Sequence, residues 1–270
     1  MKVKIVDTTL RDGEQKAGIA LGLNEKVEIA KLLDMIDIDQ IEAGIPAMGG
    51  DEKRSIQKIV ELGLNSTIST WNRINTGDIQ HSLECASDII HISAPSSDLQ
   101  IKSKLKKDRQ WVVDNLKRCV NMAAEKGYRV TVGLEDASRA DFRFLLQLIA
   151  VAYLEGAERV RYADTVGLLH RQKISNDIKN IREELSIDLE IHAHNDLGMA
   201  VSNSIQAVKA GVEYVDCTMS GIGERAGNCD YIQFIKAAKG CLGIFQSVDL
   251  QKVEEVQDRI MNIVYNGYKD

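Results

Sequence analysis

RVTVGLEDASRADFRFLLQLIAVAYLEGAERVRYADT, residues 129–165, contains two short runs rich in β-branched residues on either side of a longer apolar segment. The first run, RVTVGLED from Arg129, and the second, RVRYADT from Arg159, each have the length and composition of a strand. The segment between them has helical periodicity. The stretch therefore predicts a strand, a loop, a helix and a second strand, which is the repeating unit of a parallel sheet.

The same alternation recurs along the rest of the chain. Six further strand candidates are VKIVDTT from Val3, DQIEAG from Asp39, NSTIST from Asn65, DIIHISAP from Asp88, LEIHAHN from Leu189 and YVDCTMSG from Tyr214. Helical segments separate them; we expect Asn24 to cap NEKVEIAKLLDMI and Gly127 to stop DRQWVVDNLKRCVNMAAEKG. Eight such units in about 240 residues favour a closed (β/α)8 barrel, because a doubly wound open sheet usually has fewer strands and a clear switch point.

We predict that residues 1–270 form one domain, an α/β fold of the (β/α)8 TIM-barrel type with one extra C-terminal helix. The extra helix is the amphipathic stretch VDLQKVEEVQDRIMNIVYNGY from Val248. No linker, low-complexity tract or charge block marks a second domain. Pro46 and Pro95 both fall just after strand candidates, where a rim loop tolerates proline.

The composition limits the classes of function. A formal net charge of -6 argues against a nucleic-acid partner. The chain has no apolar run of about 18 residues, and its start has no apolar segment of signal-peptide length, so we expect a soluble, cytoplasmic protein with no membrane partner. The cysteines are odd in number and lack a C-x-x-C pair, so we expect neither a disulfide framework nor a thiolate zinc site.

The predicted strand ends are rich in polar residues. In a (β/α)8 barrel, functional groups lie on the loops that follow the strands, so these residues are the candidates for chemistry. They are Asp7, Thr8, Thr9, Arg11, Asp12, Gln15, Glu42, Glu135, Asp136, Asp164, Thr165, His192, His194, Asn195, Asp196 and the loop GIGERAGN, residues 221–228.

The H-x-H pair at the end of the seventh strand suggests a metal site. Side chains two apart on a strand point the same way, so His192 and His194 place two imidazoles within reach of one ion. A third ligand would be an acidic residue at the end of the first strand or in the loop after the eighth, and we choose Asp12. The alternative is that the two histidines only hydrogen-bond to neighbours. The convergence of eight strand ends on one rim favours the ion.

Two further motifs each allow two interpretations. Arg11 has a planar donor fork that suits a carbonyl oxygen or a carboxylate, or it forms a surface salt bridge in a turn closed by Gly13. Glu135 can supply an acid-base or water-orienting carboxylate, whereas Asp136 and Ser138 can cap the following helix.

The loop GIGERAGN and the basic stretch SKLKKDRQW are less specific. The glycines of the loop turn the chain, and Asn228 at its end can complete the shell of a hard metal through its carbonyl oxygen. SKLKKDRQW, from Ser103, is either a solvated helix start or a site for the carboxylates or phosphates of an anionic substrate.

Six motifs, each at a different strand end, carry a resemblance that covers nearly the whole chain. DTTLRDGEQ, IEAGIP, GLEDASR, YADTVG, HAHNDLG and GIGERAGN occur in this order. They resemble the Claisen-condensing members of the metal-dependent pyruvate carboxyltransferase superfamily, which are the isopropylmalate, citramalate and homocitrate synthases, and more distantly the hydroxymethylglutaryl-CoA (HMG-CoA) lyases. HISAPSSDLQIKSKLKKDRQW and VGLEDASRADFRFL are most similar to the homocitrate synthases of nitrogen fixation.

The resemblance implies roles for particular residues. It implies a divalent ion, Mg, Mn or Zn, bound by Asp12, His192 and His194, with Asn228 nearby or ligating. It implies that Arg11 and the metal polarise the keto group of a 2-oxo acid, and that Glu135 takes part in the acid-base network. It also implies a substrate pocket lined by Gln15, Glu42 and Thr165.

The reaction implied by the resemblance is an acyl transfer, the condensation of acetyl-CoA with a 2-oxo acid. With 2-oxoglutarate as that acid, the products are homocitrate and CoA. The alternatives are an isopropylmalate or citramalate synthase, an enzyme like the HMG-CoA lyases, and a non-catalytic barrel subunit that stabilises a complete synthase. The convergent metal-site groups argue against the last, since a purely structural subunit has no physical need for them.

One departure from the resemblance concerns the C-terminal region. The synthases continue past the barrel into C-terminal helical subdomains, which are absent here because the chain stops one helix after the eighth strand candidate. We therefore expect an oligomer. Either a separate subunit carries the C-terminal region, or the barrel works alone with a weaker or different reaction. A second departure follows the fourth strand, where lysines and a glutamine stand in place of the arginine that related enzymes use for the distal carboxylate of the oxo acid.

Overall fold

A closed barrel of eight parallel strands forms the centre of the computed structural model, which describes residues 3–267. The strands are β1 Lys4–Asp7, β2 Gln40–Glu42, β3 Thr67–Arg73, β4 Ile89–Pro95, β5 Arg129–Glu135, β6 Arg159–Asp164, β7 Asp188–Ala193 and β8 Tyr214–Cys217. They follow one another around the barrel in chain order, and β8 pairs with β1, with Ile5 opposite Val215, to close it. The predicted (β/α)8 fold is confirmed.

Helices surround the barrel in the order that the sequence predicts. They are α1 Leu23–Asp34, α2 Gly50–Glu61, α3 Thr76–Leu83, α4 Asp98–Gln100, α5 Arg109–Ala124, α6 Phe142–Leu154, α7 Arg171–Glu184, α8 Ala200–Ala210, α9 Tyr231–Leu242 and α10 Leu250–Asn266. Short helical turns are Gly13–Gln15, Pro46–Met48, Ile101–Leu105, Ala137–Arg139 and Met219–Gly221. The predicted extra helix is α10, which packs against α1. Its predicted last residue, Tyr268, lies outside the described residues, as do residues 1–2 and 269–270 of the predicted domain.

The helix ends differ from the prediction at two places. Asn24 is not the N-cap of α1, because Gly22 holds that position and its N–H donates to the carboxylate of Glu25. The side chain three residues inside the helix thus satisfies the exposed backbone donor. Helix α5 ends at Ala124, three residues before Gly127, whose left-handed backbone (φ +82°) closes the turn after the helix by donating to the Ala124 carbonyl oxygen at 2.9 Å.

The two faces of the barrel sheet differ in chemistry. Alternate side chains of a strand point to opposite faces of the sheet. Residues of the outer face belong to the apolar core that packs against the helices, among them Ile5, Ile41, Ile68, Ile90, Val132, Val160, Leu189 and Val215. The inner face is polar and equally buried, with Gln40, Glu42, His91, Thr131, Arg159, Arg161, Glu190, His192 and Asp216 all at most 4% exposed.

The five cysteines are all free thiols, and only Cys241 is exposed. Cys85, Cys119, Cys217 and Cys229 are buried, as expected of residues that serve in packing. Within residues 3–267 no helix combines the length and the apolar character that a bilayer span requires.

Candidate active site

A cavity of about 170 Å³ opens at the carboxyl end of the barrel. Seven of the predicted site residues line it: Arg11, Asp12, Gln15, Glu135, Thr165, His192 and His194. Two others, Glu42 and Asn228, lie behind this wall, where Glu42 contacts Arg11 and Asn228 contacts Asp12. The structure therefore brings together residues from β2, β5 and β7 and from the loops that follow β1, β6, β7 and β8.

Asp12, His192 and His194 offer three ligand atoms within 4.8 Å of one another. The Nε2 atoms of the two histidines are 3.2 Å apart. The Asp12 Oδ2 atom lies 3.5 Å from the Nε2 atom of His192 and 4.0 Å from that of His194. All three residues are at most 5% exposed. Such a buried two-histidine, one-carboxylate face is a donor set for a divalent transition metal.

Hydrogen bonds behind two of the three candidate ligands, His192 and Asp12, fix their orientation. The Nδ1 atom of His192 lies 2.8 Å from Asp216 Oδ2, which turns Nε2 towards Asp12. Asn228 donates through Nδ2 to Asp12 Oδ1 at 2.8 Å and to the Ile222 carbonyl oxygen at 3.0 Å. Metal-binding histidines and carboxylates are usually held by outer partners of this kind.

Two buried polar atoms of the cluster lack a hydrogen-bond partner within the described chain, Asn228 Oδ1 and His194 Nδ1. A buried acceptor without a partner costs free energy, so its presence indicates a group supplied from outside the chain. An amide oxygen is a ligand for hard divalent cations. The donor set and the unpartnered Asn228 oxygen therefore fit a divalent ion.

The charges of the cluster shift its pKa values in opposite directions. Burial lowers the pKa of His192, but the hydrogen bonds and charges of Asp12 and Asp216 outweigh it and raise that pKa to about 9. Burial and the neighbouring charge of His192 lower the pKa of His194 to about 3. The two neighbouring imidazoles therefore differ: Asp12 and Asp216 favour the charged form of His192, and the charge of His192 disfavours the charged form of His194.

The turn after β1 presents Arg11 and Asp12 to the cavity. The Thr8 carbonyl oxygen accepts the N–H groups of Arg11, Asp12 and Gly13 at 3.1, 2.8 and 3.0 Å, which folds the chain back tightly. A Cβ atom on Gly13 would lie 3.0 Å from the Ile222 side chain, so glycine allows the turn to pack under the loop after β8.

Arg11 is neither a surface residue nor a simple turn contact. Its side chain is 8% exposed, and it donates through Nη1 to Asp12 at 2.7 Å and through Nε to Glu42 at 2.5 Å. Burial raises the pKa of Glu42, but the charges of Arg11 and Arg161 outweigh it and lower that pKa to about 2. The alternative of a surface salt bridge is therefore wrong.

Glu135 lies at the end of β5 between the cavity and a neighbouring chamber of about 270 Å³. Its Oε1 atom accepts from Ser93 at 2.9 Å, and its Oε2 atom accepts from Lys104 at 3.1 Å. Lys104 is the residue of SKLKKDRQW that lines the cavity. A carboxylate held by a hydroxyl and an ammonium group is a suitable proton acceptor or water-orienting group.

Asp136 and Ser138 do not cap the helix that follows. Asp141 caps α6, because its side chain accepts the Phe144 N–H at 2.9 Å. The Asp136 carboxylate instead pairs with Arg139 at 2.8 Å, and its backbone is left-handed (φ 60°). The Asp136 N–H donates to Thr165 at 2.8 Å, so this turn fixes the threonine that lines the cavity.

Sequence reasoning missed the ion-pair layer inside the barrel. Arg161 contacts Glu42, Glu190 and Asp216, while Arg159 contacts Glu190 and Gln40. The signal was the alternation of charged residues within strand candidates, as in RVR of β6. Such alternation usually indicates one solvated face, whereas here both faces are buried.

The geometry of the site defines a class of protein. A candidate metal-binding cluster, a buried arginine and a carboxylate line a cavity that opens at the carboxyl end of a (β/α)8 barrel. This arrangement is that of a barrel enzyme with a candidate divalent metal centre.

Comparison with known proteins identifies the family. A family model described as HMGL-like matches residues 2–260, and the chain belongs to this family. It is 56% identical over 265 residues to a homocitrate synthase subunit alpha of Clostridium pasteurianum, and the match covers 98% of each chain. It is 46% identical to 2-isopropylmalate synthase 2 of Caldanaerobacter subterraneus subsp. tengcongensis, of which it covers 67%. It is 42% identical to homocitrate synthase 1 of a Nostoc species, of which it covers 69%.

Solved structures show the same fold. An HMG-CoA lyase of Bacillus subtilis superposes with a TM-score of 0.87 over 97% of this chain and 94% of the lyase, at 17% identity. An HMG-CoA lyase of Brucella melitensis gives a TM-score of 0.86 at 16% identity, over 97% of this chain and 99% of the lyase. At these identities, the likeness establishes the barrel architecture alone.

Proposed function

We propose that this chain catalyses the metal-dependent condensation of acetyl-CoA with 2-oxoglutarate to give homocitrate and CoA. The observation that carries the proposal is the identity of 56% over 98% of a homocitrate synthase subunit alpha. The convergence of Asp12, His192, His194 and Arg11 on one cavity supplies the chemical support. The activity is that of an acyltransferase, and the resemblance described above assigns it to nitrogen fixation.

Asp12, His192 and His194 would hold the ion, and Asn228 completes the set through its unpartnered oxygen. When bound, a divalent ion supplies a Lewis acid that polarises the keto group of the oxo acid. We name Mg²⁺, Mn²⁺ and Zn²⁺ as candidates, because geometry and availability decide among them for a set of this type.

Arg11 acts on the keto oxygen from within the cavity. The reaction forms a carbon–carbon bond between the acetyl methyl carbon and the keto carbon, and negative charge develops on the keto oxygen. A buried guanidinium stabilises that charge more than it stabilises the neutral ketone, which lowers the barrier. Glu42 and Asp12 hold Arg11 in place through its Nε and Nη1 atoms.

Glu135 takes part in the proton transfers. The acetyl methyl group must lose a proton before it attacks, and water must then hydrolyse the thioester to release CoA. Glu135 faces the cavity, and its two oxygens already accept from Ser93 and Lys104, so it is placed to exchange a proton or to orient water. Gln15 and Thr165 line the same wall as substrate-binding residues.

We also propose an oligomer with a separate subunit that carries the C-terminal region of the longer synthases. The chain spans 67% and 69% of two synthase relatives and 98% of a relative whose name designates it a subunit. A second subunit would complete the site over the carboxyl end of the barrel. We place the protein in the cytoplasm, where its free thiols remain reduced.

The test is CoA release by the purified chain with acetyl-CoA, a series of divalent metals, and 2-oxoglutarate, 2-oxoisovalerate or pyruvate. We expect release to require a metal and to be fastest with 2-oxoglutarate. Faster release with 2-oxoisovalerate or pyruvate would assign an isopropylmalate or citramalate synthase instead. Cleavage of HMG-CoA without condensation would assign a lyase. A metal-loaded chain that releases no CoA with any acid would contradict catalysis by the barrel alone.

A further inference from the structure

Arg161 lies at the centre of the ion-pair layer beneath the cavity. Its guanidinium contacts carboxylates from three other strands: Glu42 of β2 at 2.7 Å, Asp216 of β8 at 2.9 Å, and Glu190 of β7. The side chain is 3% exposed. Burying such groups costs several kcal/mol for each ion, and apolar residues of similar volume would often stabilise the fold as well. The layer therefore calls for an explanation other than stability.

Two of the carboxylates that Arg161 contacts each hold a group of the active site. Glu42 accepts the Nε–H of Arg11 at 2.5 Å through the oxygen that Arg161 leaves free. Asp216 lies 2.8 Å from the Nδ1 atom of His192. The Arg161 guanidinium is thus connected to Arg11 through Glu42 and to His192 through Asp216. Arg11 is the group proposed to act on the keto oxygen, and His192 is a candidate metal ligand.

We propose that Arg161 is a positioning residue that sets the orientations of Arg11 and His192 together. A planar guanidinium can meet carboxylates in several directions of one plane, whereas the compact ammonium of lysine acts as a point charge. Shortening this group would free Glu42 and Asp216 to move, and each would take its active-site partner with it. The inference goes beyond the proposed chemistry, and it rests on the proposed function for its activity measurement.

Arg159 provides a matched control two residues earlier on the same strand. Its side chain is 1% exposed and also pairs with Glu190, at 2.6 Å, while its Nη2 donates to Gln40 at 2.6 Å. Within residues 3–267, Arg159 forms no ion pair or hydrogen bond with Glu42 or Asp216. A layer that served the fold alone would respond in the same way to the loss of either arginine.

The experiment compares Arg161→Lys with Arg159→Lys in the full chain. Equilibrium dialysis gives the Mn²⁺ affinity, urea unfolding gives the free energy of unfolding, and CoA release gives kcat and KM. We expect Arg161→Lys to lower kcat and to weaken Mn²⁺ binding, because it frees Asp216, the outer partner of His192; the loss of such a partner usually costs about 10- to 100-fold in metal affinity, which sets the upper limit. We expect Arg159→Lys to leave the Mn²⁺ affinity unchanged. Equal losses in both variants, or an unchanged affinity in Arg161→Lys, would overturn the proposal.

If Arg161→Lys does not fold, two other variants test the role of Arg161, because each one breaks only one of its two connections to the active site. Asp216→Asn should weaken Mn²⁺ binding, because it cuts the branch to His192. Glu42→Gln should lower kcat without weakening Mn²⁺ binding, because it cuts the branch to Arg11. Weaker Mn²⁺ binding in Glu42→Gln as well as in Asp216→Asn would show one collective structural effect and would contradict two separate connections.

The Mn²⁺ affinity separates the failure of this proposal from the failure of the proposed function. Dialysis requires no acyl donor or oxo acid. A wild-type chain that binds Mn²⁺ but releases no CoA would contradict the proposed function, and the affinities of the two lysine variants would still decide the role of Arg161. If the wild-type chain binds no Mn²⁺, the proposal that Arg161 positions His192 as a metal ligand is overturned.

Discussion

The outer and inner faces of the barrel sheet are both buried, yet the outer face is apolar and the inner face is polar and charged. The outer face is a continuous apolar layer in which residues such as Val132, Val160 and Leu189 pack against helices. The inner face carries charged residues such as Arg161 and Glu190. The interior of a (β/α)8 barrel is usually filled by branched apolar side chains. The difference indicates that the outer face supplies the stability of this molecule and that the inner face supports its chemistry.

Loss of a metal ligand should give the largest decrease in turnover and should leave the fold intact. His192→Ala removes one of the three ligands, so we expect turnover to fall by on the order of 10³-fold, since a bound Lewis acid contributes several kcal/mol. Metal content, measured by atomic emission on dialysed protein, should fall with it, while circular dichroism stays that of a folded barrel. The matched control is His81→Ala on α3, whose side chain is 45% exposed. Unchanged metal content in His192→Ala would remove His192 from the ligand set.

Arg11→Lys should give the second largest effect on turnover. The lysine keeps the charge but loses the fork that meets Glu42 and Asp12, so we expect kcat to fall about 10²-fold, as when one donor to a developing oxyanion is lost. Arg129→Lys, at the amino end of β5, is the control, because Arg129 is half exposed and pairs with Glu158. Near wild-type turnover in Arg11→Lys would reduce Arg11 to a structural role.

A substitution on the outer face should lower the stability of the fold and leave metal binding unchanged. Leu189→Ala lies on β7, the strand that carries His192, but on the apolar face. We expect the free energy of unfolding to fall by about 2–5 kcal/mol, the usual cost of deleting a buried leucine side chain. The Mn²⁺ affinity should be unchanged in the folded protein. A Leu189→Ala variant that unfolds like wild type but binds Mn²⁺ poorly would break the division between the two faces.

Acid should weaken the inner layer by a smaller amount. Arg11 and Arg161 lower the pKa of Glu42 from 4.5 to about 2 against the effect of its burial. A carboxyl group whose pKa is lowered on folding stabilises the native state above its ordinary pKa and loses that contribution as the pH falls through the folded value. We therefore expect urea unfolding between about pH 5 and pH 2 to show a steeper loss of stability in wild type than in Glu42→Gln. Identical slopes in the two proteins would show that Glu42 is not held in this way.

The sequence predicts the outer face well. Every strand candidate is a strand in the structure, with ends that differ by a few residues, because β-branched runs such as VTV in β5 indicate burial directly. The errors occur at helix ends. Gly22, rather than Asn24, is the N-cap of α1, and Asp141, rather than Asp136, caps α6. Caps depend on local backbone geometry that residue type alone does not determine.

The sequence predicts part of the inner face. The H-x-H pair and the turn with Arg11 and Asp12 are recognisable because their spacing has a direct chemical meaning. Arg161 and Asp216 are not recognisable in this way, since their partners lie on other strands and only barrel closure brings them together. The residues that hold the ligands thus depend on the tertiary structure, whereas the ligands themselves can be found in the sequence.

The most direct test of the proposed function follows the new carbon–carbon bond. Acetyl-CoA labelled with ¹³C in its methyl group is incubated with 2-oxoglutarate and the metal-loaded chain, and the acids are analysed by mass spectrometry. We predict labelled homocitrate in wild type, none in metal-free protein and none in His192→Ala. Absence of labelled homocitrate from the metal-loaded wild-type chain, or equal labelling by His192→Ala, would contradict a metal-dependent condensation at this site.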